Sequence, residues 1–282
     1  MQSKRSLIEI HSATILLAFV GPFVKLIDLP SLDIVFGRSV FELITVIAIA
    51  LILKINLKIT KAKDLSFILL LGLIQAAQWY TFFESVKRSN VAIALVTLFT
   101  FPFFTAIAEP LFFREKFSLK NLISSAVIIV GIAFVSPDLK LTNTTNQAIL
   151  WGLSSAVLVS AIFLISRRFV AIYHSVSLSF YKSLIAIIAL IPLCSLSPLI
   201  TLNANWLYLL LLGAVFTAIP YLLITHSLKE LKASSVSTIL SLEPIYGVII
   251  ALILLREVPQ VNTIIGGVLV FGAVIWQSLG RG

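Results

Sequence analysis

The chain of 282 residues contains a single cysteine, Cys194, and only three histidines, His11, His174 and His226. One cysteine excludes an internal disulfide and a Cys-x-x-Cys metal site. The histidines are scattered and form no His-Glu-x-x-His motif, and no glycine-rich motif of the GxGxxG or GxxxxGK[ST] type is present to bind phosphate. The sequence therefore predicts neither an enzyme nor a protein that holds a metal or a cofactor.

Charged residues are also scarce. They make up 12% of the chain, while 59% of the residues are hydrophobic. Soluble domains contain about 25% charged and about 45–50% apolar residues. A chain so poor in charge is unable to cover its apolar surface in water. The composition predicts an all-α integral membrane protein in a lipid bilayer.

Apolar segments recur along the whole chain, each long enough to cross a hydrocarbon core of about 30 Å as a helix. We place ten of them, at residues 7–27, 33–53, 65–86, 91–112, 119–136, 147–166, 175–194, 205–228, 233–255 and 261–279. The first starts like a signal peptide, but its apolar run continues past Gly21 without a small-residue cleavage site. We therefore interpret it as a retained transmembrane helix.

Two short motifs indicate an internal duplication. FFREKF at residues 112–117 is matched by LLREVP at residues 254–259, an offset of 142 (256 − 114). The same offset relates four further identical pairs, which are Ser85 and Ser227, Lys87 and Lys229, Leu98 and Leu240, and Pro102 and Pro244. Matches at a fixed period are the mark of repeated units. The chain is predicted to contain two repeats of five helices each, residues 1–138 and 139–282.

Basic residues predict the orientation in the membrane, because they accumulate in cytoplasmic loops. With the N-terminus in the cytoplasm, fourteen lie at cytoplasmic ends: Lys4, Arg5, Lys54, Lys58, Lys61, Lys63, Arg114, Lys116, Lys120, Arg167, Arg168, Lys229, Lys232 and Arg281. Five lie on the other side: Lys25, Lys87, Arg88, Lys140 and Arg256. Both termini are thus predicted to be cytoplasmic. The net charge of +9 then reflects topology, and no nucleic-acid partner is expected.

Because five is an odd number, the two repeats enter the membrane from opposite sides. Inverted repeats of this kind are typical of secondary transporters, whose substrate site lies near the membrane midplane between the halves. The fold class predicted is therefore ten transmembrane helices in two inverted five-helix repeats. A duplicated scaffold without a transport role is the alternative.

Several features in order resemble a known family. They are FVGPFVK at residues 19–25, FGRSVFE at residues 36–42, Pro102, Pro244, Glu115, Glu257, Gly131 and Gly272. Together they resemble the drug/metabolite transporter superfamily, specifically its EamA-type ten-helix members, over nearly the whole chain. The resemblance implies a carrier of amino acids, other metabolites, cations or nucleotide-linked compounds, and it favours export.

Two basic residues lie within predicted spans, Arg38 in the second and Lys182 in the seventh. Arg38 and Glu42 are four residues apart, so they share a helix face and can pair, either for structure or within a site. Lys182 lies 144 residues after Arg38 (182 − 38), close to the repeat offset of 142. Each half therefore contributes one cation within a predicted span. Two cations facing a cavity suit a carboxylate, although a lysine can also extend toward the interface. We expect Arg38 and Lys182 to bind substrate and consider Glu42 for ion coupling.

Polar and aromatic residues interrupt the third and eighth predicted spans. The third contains Trp79, Tyr80 and Glu84, and the eighth contains Tyr221 and His226. Trp and Tyr also form belts at membrane interfaces, but Trp79 and Tyr80 lie well inside their span. Aromatic walls with a few polar groups are typical of small-molecule sites, and an aromatic face attracts an ammonium group. We expect these five residues to bind substrate beside the two buried cations.

The fourth and ninth spans contain Pro102 and Pro244, with Glu109 and Glu243 close by. A proline inside a helix is expected to kink it and to free a carbonyl that neighbouring hydroxyls can satisfy. Each glutamate is either a proton-coupling carboxylate or a structural group. Glycines such as Gly131 are expected to allow close helix packing.

These features predict a secondary transporter that exports small polar metabolites such as amino acids by alternating access. Its expected location is the inner (plasma) membrane of the cell, and its expected partners are a small-molecule substrate and a proton or another coupling ion. One alternative is an importer of a nutrient such as an organic cation or a nucleotide-like metabolite. Another is a channel or a membrane-embedded assembly subunit. Either a monomer or a homodimer is compatible with the sequence.

The predicted orientation can be tested by cysteine labelling. In a variant whose Cys194 is replaced, a cysteine at Asn143 should react with an impermeant thiol reagent from outside the cell, because the loop at residues 137–146 is expected there. A cysteine at Lys58 is the matched control and should react only from the cytoplasm. Labelling of the Asn143 cysteine from the cytoplasmic side alone would overturn the orientation.

Overall fold

The computed structural model describes residues 4–59, 61–113, 119–135, 143–169, 172–195, 204–227, 231, 236 and 239–278. These residues form helices, turns and short loops, and no β-strand occurs among them. The Arg114-Glu115 motif and most of the predicted outer loop at residues 137–146 lie outside the described residues. The all-helical fold predicted from the sequence is confirmed.

Seven helices lie in the described part of the first half. They are α1 (Lys4–Ala18), α2 (Val20–Leu26), α3 (Ser31–Ile52), α4 (Ala62–Arg88), α5 (Val91–Leu98), α6 (Phe101–Phe113) and α7 (Leu119–Val135). The second half contains α8 (Thr144–Phe169), α9 (Ser175–Leu190), a 3₁₀ turn (Ile191–Leu193), α10 (Ala204–Leu210), a π-helix (Leu211–Ala218), α11 (Ile219–Ser227), α12 (Glu243–Leu255) and α13 (Val261–Ser278).

Six stretches of the described helices are long and apolar enough to cross a membrane. They cover residues 4–26, 31–52, 63–88, 144–166, 175–193 and 205–224. Shorter apolar helices occupy residues 91–105, 126–135, 243–255 and 261–276, within the other four predicted segments. Large apolar side chains such as Leu51, Ile253 and Val268 are exposed on the outside of the bundle, as expected where lipid is the solvent. The protein is a membrane protein, and the count of ten spans stays a prediction.

The prediction of continuous helices with a proline kink is wrong for the fourth and ninth segments. The helix stops before Pro102 and starts again as α6 at Phe101, and α12 starts at Glu243, directly before Pro244. Proline is tolerated in the first turn of a helix, because its missing N–H has no intrahelical partner there. At the first break, the Thr100 hydroxyl donates to the carbonyl of Thr97 at 2.7 Å, so that a side chain satisfies a backbone acceptor.

A π-helix interrupts the eighth segment just before Pro220. The Thr217 hydroxyl donates to the Leu212 carbonyl, five residues earlier, at 2.7 Å, which matches the wider turn of a π-helix. Such π-turns are frequent at functional sites. The feature was not predicted, because the apolar pattern of the segment does not distinguish α from π spacing.

The bundle is held together by contacts between the two halves. Helix α4 packs on α8 and α9, α7 packs on α13, α3 packs on α9 and the π-helix, and α1 packs on α11 and α12. The predicted role of glycine in close packing is confirmed where α7 meets α13. A Cβ atom added to Gly266 would lie 2.5 Å from the carbonyl oxygen of Gly131. The two backbones therefore touch directly.

Gly213 plays the same role between the π-helix and α3. A Cβ atom added to Gly213 would lie 2.3 Å from the carbonyl oxygen of Arg38 and 2.9 Å from the amide nitrogen of Glu42. Both obstacles are backbone atoms, which a rotamer change cannot move. The absence of a side chain at Gly213 thus fixes how closely the π-helix approaches the turn of α3 that contains Arg38.

We expect Gly213→Ala to lower the free energy of unfolding by about 1–3 kcal/mol, the usual cost of overpacking. Gly272→Ala is the matched control, since no atom lies within 4 Å of the position its Cβ would take, and both variants gain the same helix propensity. Thermal unfolding in detergent measures the difference. Equal melting temperatures for the two variants would mean that the approach at Gly213 is not tight.

Candidate functional site

Arg38 lies in the second turn of α3, and its side chain is completely buried, with 0% exposure. Its Nη2 atom donates to Glu42 Oε2 at 3.2 Å and to Thr217 Oγ1 at 3.0 Å. The guanidinium carbon lies 3.9 Å from the centre of the Trp79 ring, within the range of a cation–π interaction. The pairing of Arg38 with Glu42 that the four-residue spacing predicted is confirmed, and the cation also contacts α4 and the π-helix.

Two guanidinium nitrogens of Arg38, Nε and Nη1, have no hydrogen-bond acceptor among the described residues. A guanidinium carries five N–H donors, and leaving buried donors unpaired costs free energy. A single carboxylate next to such a group satisfies only part of its capacity. Arg38 therefore retains unused capacity to bind an anion.

Lys182 of α9 supplies the second cation. Its Nζ atom lies 3.4 Å from Gln75 Oε1 and 5.6 Å from the centre of the Tyr221 ring. Neither neighbour carries a formal negative charge when Tyr221 is neutral. Glu42 is near enough for its charge to act on Lys182, but no ion pair between the two is formed. Lys182 is half-buried as a residue, and among the described residues its ammonium group has no carboxylate in direct contact.

A chain of hydrogen bonds holds Gln75 in place. Gln75 Nε2 donates to Gln78 Oε1 at 3.0 Å, and Gln78 Nε2 donates to Ser155 Oγ of α8 at 3.0 Å. Ser155 Oγ in turn donates to the carbonyl of Gln78 at 3.1 Å. Each member uses its donor on the next one, so the Gln75 oxygen is left to face Lys182. The polar residues of α4 thus connect the second cation to the interface with α8.

A narrow cleft with a cavity volume of about 10 Å³ lies between α3, α9, the end of the π-helix and α11. Glu42 and Tyr221 line it, and its walls are otherwise mainly apolar. This volume is room for about one water molecule, whereas small-molecule pockets begin at about 300 Å³. Glu243, the first residue of α12, is close enough for its charge to act on Tyr221. The side chain of Glu109 lies outside the described part of the chain.

The structure brings four of the predicted substrate-binding residues together, namely Arg38, Trp79, Lys182 and Tyr221. The other three make their described contacts elsewhere. The ring of Tyr80 packs edge-to-face on Trp151 at 5.6 Å. Glu84 pairs with Arg88 at 2.8 Å, one turn further along α4. His226 Nδ1 lies 2.6 Å from Glu9 Oε2, which joins α11 to α1.

The sequence did not indicate two of the polar partners. Thr217 contacts Arg38 because the π-helix turns it toward α3, and a helical wheel of the segment gives no sign of this. Glu9 pairs with His226 across 217 residues of chain. A glutamate in the first apolar segment was the available signal, since an ionisable group within a span usually has a partner.

An ion pair joins the halves at the opposite end of α3 from the cleft. Lys25 Nζ lies 2.9 Å from Glu257 Oε1, and Glu257 Oε2 accepts a hydrogen bond from the backbone N–H of Val91 at 2.9 Å. Lys87 donates to the carbonyls of Ile27 and Leu29 just before α3 begins. The bundle is therefore tied together at this end.

Two Arg–Glu pairs with the same four-residue spacing allow a controlled test. We expect Arg38→Met to lower stability by about 3–5 kcal/mol, because it leaves the buried Glu42 carboxylate without its cation. Arg88→Met removes the partner of Glu84 at a side chain that is 40% exposed, so about 0–1 kcal/mol is expected. Thermal unfolding of both variants gives the comparison.

The double variant Arg38→Met, Glu42→Leu should recover most of the stability lost by Arg38→Met, because it removes the stranded charge as well. If the double variant is no more stable than Arg38→Met, then Arg38 stabilises the fold through Trp79 and Thr217 and not through the ion pair.

Comparison with known proteins shows what the chain as a whole is similar to. The sequence profile of the EamA-like transporter family matches residues 6–136 and again residues 146–279. YxxF, an uncharacterized transporter of Bacillus subtilis, is 22% identical over 282 residues, which cover 97% of this chain and 89% of YxxF. The pseudopaline exporter CntI of Pseudomonas aeruginosa is 23% identical over 250 residues, which cover 89% of this chain and 87% of CntI.

An S-adenosylmethionine uptake transporter of Rickettsia felis is 23% identical over 187 residues, which cover 66% of this chain and 62% of that protein. One solved crystal structure that is 14% identical in sequence has the same fold, with a TM-score of 0.66 over 99% of this chain and 98% of the other. The two profile matches together span nearly the whole chain. The protein belongs to the EamA-like transporter family.

Proposed function

We propose that the protein is a secondary transporter that exports small polar metabolites such as amino acids by alternating access. The observation that carries this proposal is the meeting of Arg38 and Lys182, one cation from each half, beside Glu42 at a cleft in the bundle. Charged side chains within membrane spans are costly, by at least about 2.5–3.5 kcal/mol at a helix centre, and usually mark a substrate or ion pathway. Two cations with one paired carboxylate suit the carboxylate of a substrate.

Inverted repeats, with residues 1–138 as one unit and residues 139–282 as the other, are part of the proposal. The double match of the family profile supports the duplication. The packing supports it as well, because exchanging corresponding helices of the halves turns α4 on α8 into α11 on α1, and both pairs pack. The helix breaks before Pro102 and Pro244 are also equivalent. Such repeats rock against each other around a fixed site.

The proposed orientation puts both termini in the cytoplasm and the protein in the inner membrane. In that orientation the cleft lies toward the cytoplasmic end of α3, and the pair of Lys25 with Glu257 lies at the outer end. A cleft on the inside with a tie on the outside is the arrangement expected for loading from the cytoplasm, which favours export.

Import of a nutrient is the second candidate, because the relatives include both an exporter and an uptake transporter. A proton or another ion is the proposed coupling partner. Glu42 already pairs with Arg38, so Glu243 and Glu109 are the carboxylates that we propose for coupling. Both a monomer and a homodimer are compatible with this mechanism.

Counterflow in proteoliposomes tests the carrier proposal. Purified protein is screened by thermal shift against amino acids, amines and nucleotides, because a ligand of the folded state raises the melting temperature. Each stabilising compound is then loaded inside vesicles, and uptake of its labelled form is measured. Saturable counterflow identifies a carrier. Uptake that is not accelerated by internal substrate would indicate a channel, and absence of uptake for every stabilising compound would indicate an assembly subunit.

Lys182→Met is the sharpest single test of the site. Because the described hydrogen-bond partner of Lys182 is the neutral amide of Gln75, removing the charge strands no paired carboxylate, and the melting temperature should stay near that of the wild type. Counterflow should fall at least tenfold, since a charged hydrogen bond to the substrate is worth about 1.5–3 kcal/mol. Lys58→Met, at an exposed loop position, should leave both quantities unchanged. A Lys182→Met variant that transports normally would remove Lys182 from the site.

A further inference from the structure

A basic segment, residues 54–63, connects α3 to α4 at one surface of the membrane. It lies between two stretches that are long enough to cross a bilayer, residues 31–52 and 63–88. Its four lysines are all exposed, and they are Lys54, Lys58, Lys61 and Lys63. None of the four forms a salt bridge with a described acidic residue, whereas Arg5, Lys25 and Arg88 each do so.

The backbone of the basic segment is fixed to the bundle. The side chains of Ile55, Leu57 and Ile59 pack into apolar clusters of the core. The carbonyl of Asn56 accepts a hydrogen bond from Ser177 Oγ of α9 at 3.1 Å. Side chains alternate along an extended chain, so the exposed residues of the segment stand on an anchored backbone. A ligand of these residues therefore has little backbone to order when it binds, which favours affinity.

The acidic residue that follows the basic segment is turned inward. Asp64 comes directly after Lys63, yet it is only 5% exposed, and its Oδ2 atom accepts a hydrogen bond from the Tyr173 hydroxyl at 2.8 Å. The outer surface of the described segment thus carries positive charge alone. The bias of basic residues toward cytoplasmic loops accounts for the number of lysines, but not for the inward position of this carboxylate.

Lys54 occupies a backbone position at which glycine is usual. Its φ angle is 52°. The N–H of Ile55 donates to the carbonyl of Ala50 at 2.9 Å, and the N–H of Lys54 donates to the carbonyl of Leu51 at 3.3 Å. These two bonds form the Schellman motif, whose left-handed residue is usually glycine. A lysine in this conformation costs free energy that a glycine avoids, so its charge is expected to have a use.

Exposed apolar side chains flank the basic segment at both ends. Residues 51–53, at the end of α3, are all large, apolar and exposed, and so are Leu65 and Phe67 near the start of α4. Acyl chains of the bilayer cover such surfaces, because water does not. The phosphate groups of the same lipids then lie close to Lys54 and Lys63, which are one and two residues away from this apolar surface in the sequence.

We propose that the basic segment is a binding surface for the headgroup of an anionic phospholipid of the surrounding membrane. The ammonium groups of the lysines contact the headgroup, and the acyl chains lie against residues 51–53 and Leu65. A lysine near an anionic membrane surface contributes about fivefold in affinity, which corresponds to about 1 kcal/mol. A zwitterionic lipid has the same phosphate, but its own ammonium group opposes the lysines. The proposal depends neither on the transported substrate nor on the orientation in the membrane.

Native mass spectrometry of the full-length protein in a non-ionic detergent measures the dissociation constant of each lipid. The probes are phosphatidylglycerol, which is anionic, and phosphatidylcholine with the same acyl chains, which is zwitterionic. At about 0.1 M salt the wild type should bind phosphatidylglycerol at least tenfold more tightly. The preference should become much smaller at about 1 M salt, where the screening length falls to about 3 Å. Equal affinity for the two lipids at the lower salt concentration would overturn the proposal.

Two triple variants that lose the same net charge locate the surface. The first changes lysines of the basic segment, namely Lys58→Gln, Lys61→Gln and Lys63→Gln. The second changes exposed cations outside it, namely Lys4→Gln, Arg5→Gln and Arg88→Gln. The affinity for phosphatidylglycerol should fall at least tenfold in the first variant and stay within about threefold of the wild type in the second. Equal losses in both variants would mean that net charge alone attracts the lipid, and the proposal would fail.

Lys54→Gly separates lipid binding from stability. Glycine adopts the left-handed conformation without strain, so the melting temperature in detergent should not fall. The affinity for phosphatidylglycerol should fall about fivefold, the contribution of one lysine. A cation at a helix C-terminus also interacts with the helix dipole. A lower melting temperature with unchanged lipid affinity would assign Lys54 to that interaction and remove it from the surface.

Inorganic phosphate tests whether the surface takes a free anion instead of a lipid. A large molar excess of phosphate should leave phosphatidylglycerol bound, because phosphate has no acyl chains to cover residues 51–53. Displacement of the lipid by phosphate would overturn the assignment to a phospholipid. Failure of the lipid proposal leaves the transport function standing, since counterflow is measured independently of lipid affinity.

Discussion

The burial of one guanidinium group organises the centre of this protein. Arg38 is held on three sides, by the carboxylate of Glu42, the hydroxyl of Thr217 and the ring of Trp79. Each partner comes from a different place, since Glu42 lies on α3 itself, Trp79 on α4 and Thr217 on the π-helix. Burying a charge is tolerated only with close partners. The positions of these three segments are therefore mutually dependent.

That dependence extends to the backbone. Thr217 reaches Arg38 because the π-helix lies directly on α3, and the two can approach because residue 213 is glycine. The second cation is held in a different way. Lys182 faces an amide oxygen whose orientation is fixed by a chain of hydrogen bonds ending at Ser155 on α8. One cation of the pair is thus fixed by direct burial and the other by a polar network, so they differ in how freely they can exchange partners.

Local features of this structure could be predicted from the sequence, and long-range pairings could not. The pairing of Arg38 with Glu42 follows from helix geometry, and the six long apolar helices follow from composition. The breaks before Pro102 and Pro244 were misjudged as kinks, because sequence alone does not tell whether the helix continues through a proline. Glu9 and His226 meet only because α1 packs on α11, and no property of either residue names the other. For the same reason, the sequence does not tell which predicted site residues meet at the centre of the bundle and which make their contacts elsewhere.

The π-helix also limits which changes of chain length the protein can accept. An α-helix turns by about 100° per residue, so deleting one residue from Leu211–Ala218 and restoring α spacing would rotate everything after it by about that angle. Thr217 would leave Arg38, and Tyr221 would turn out of the cleft, although every side chain would still be present. A deletion in a surface loop has no such effect. A relative whose sequence lacks a residue within this segment is therefore expected to share the fold but not the contact of Thr217 with Arg38.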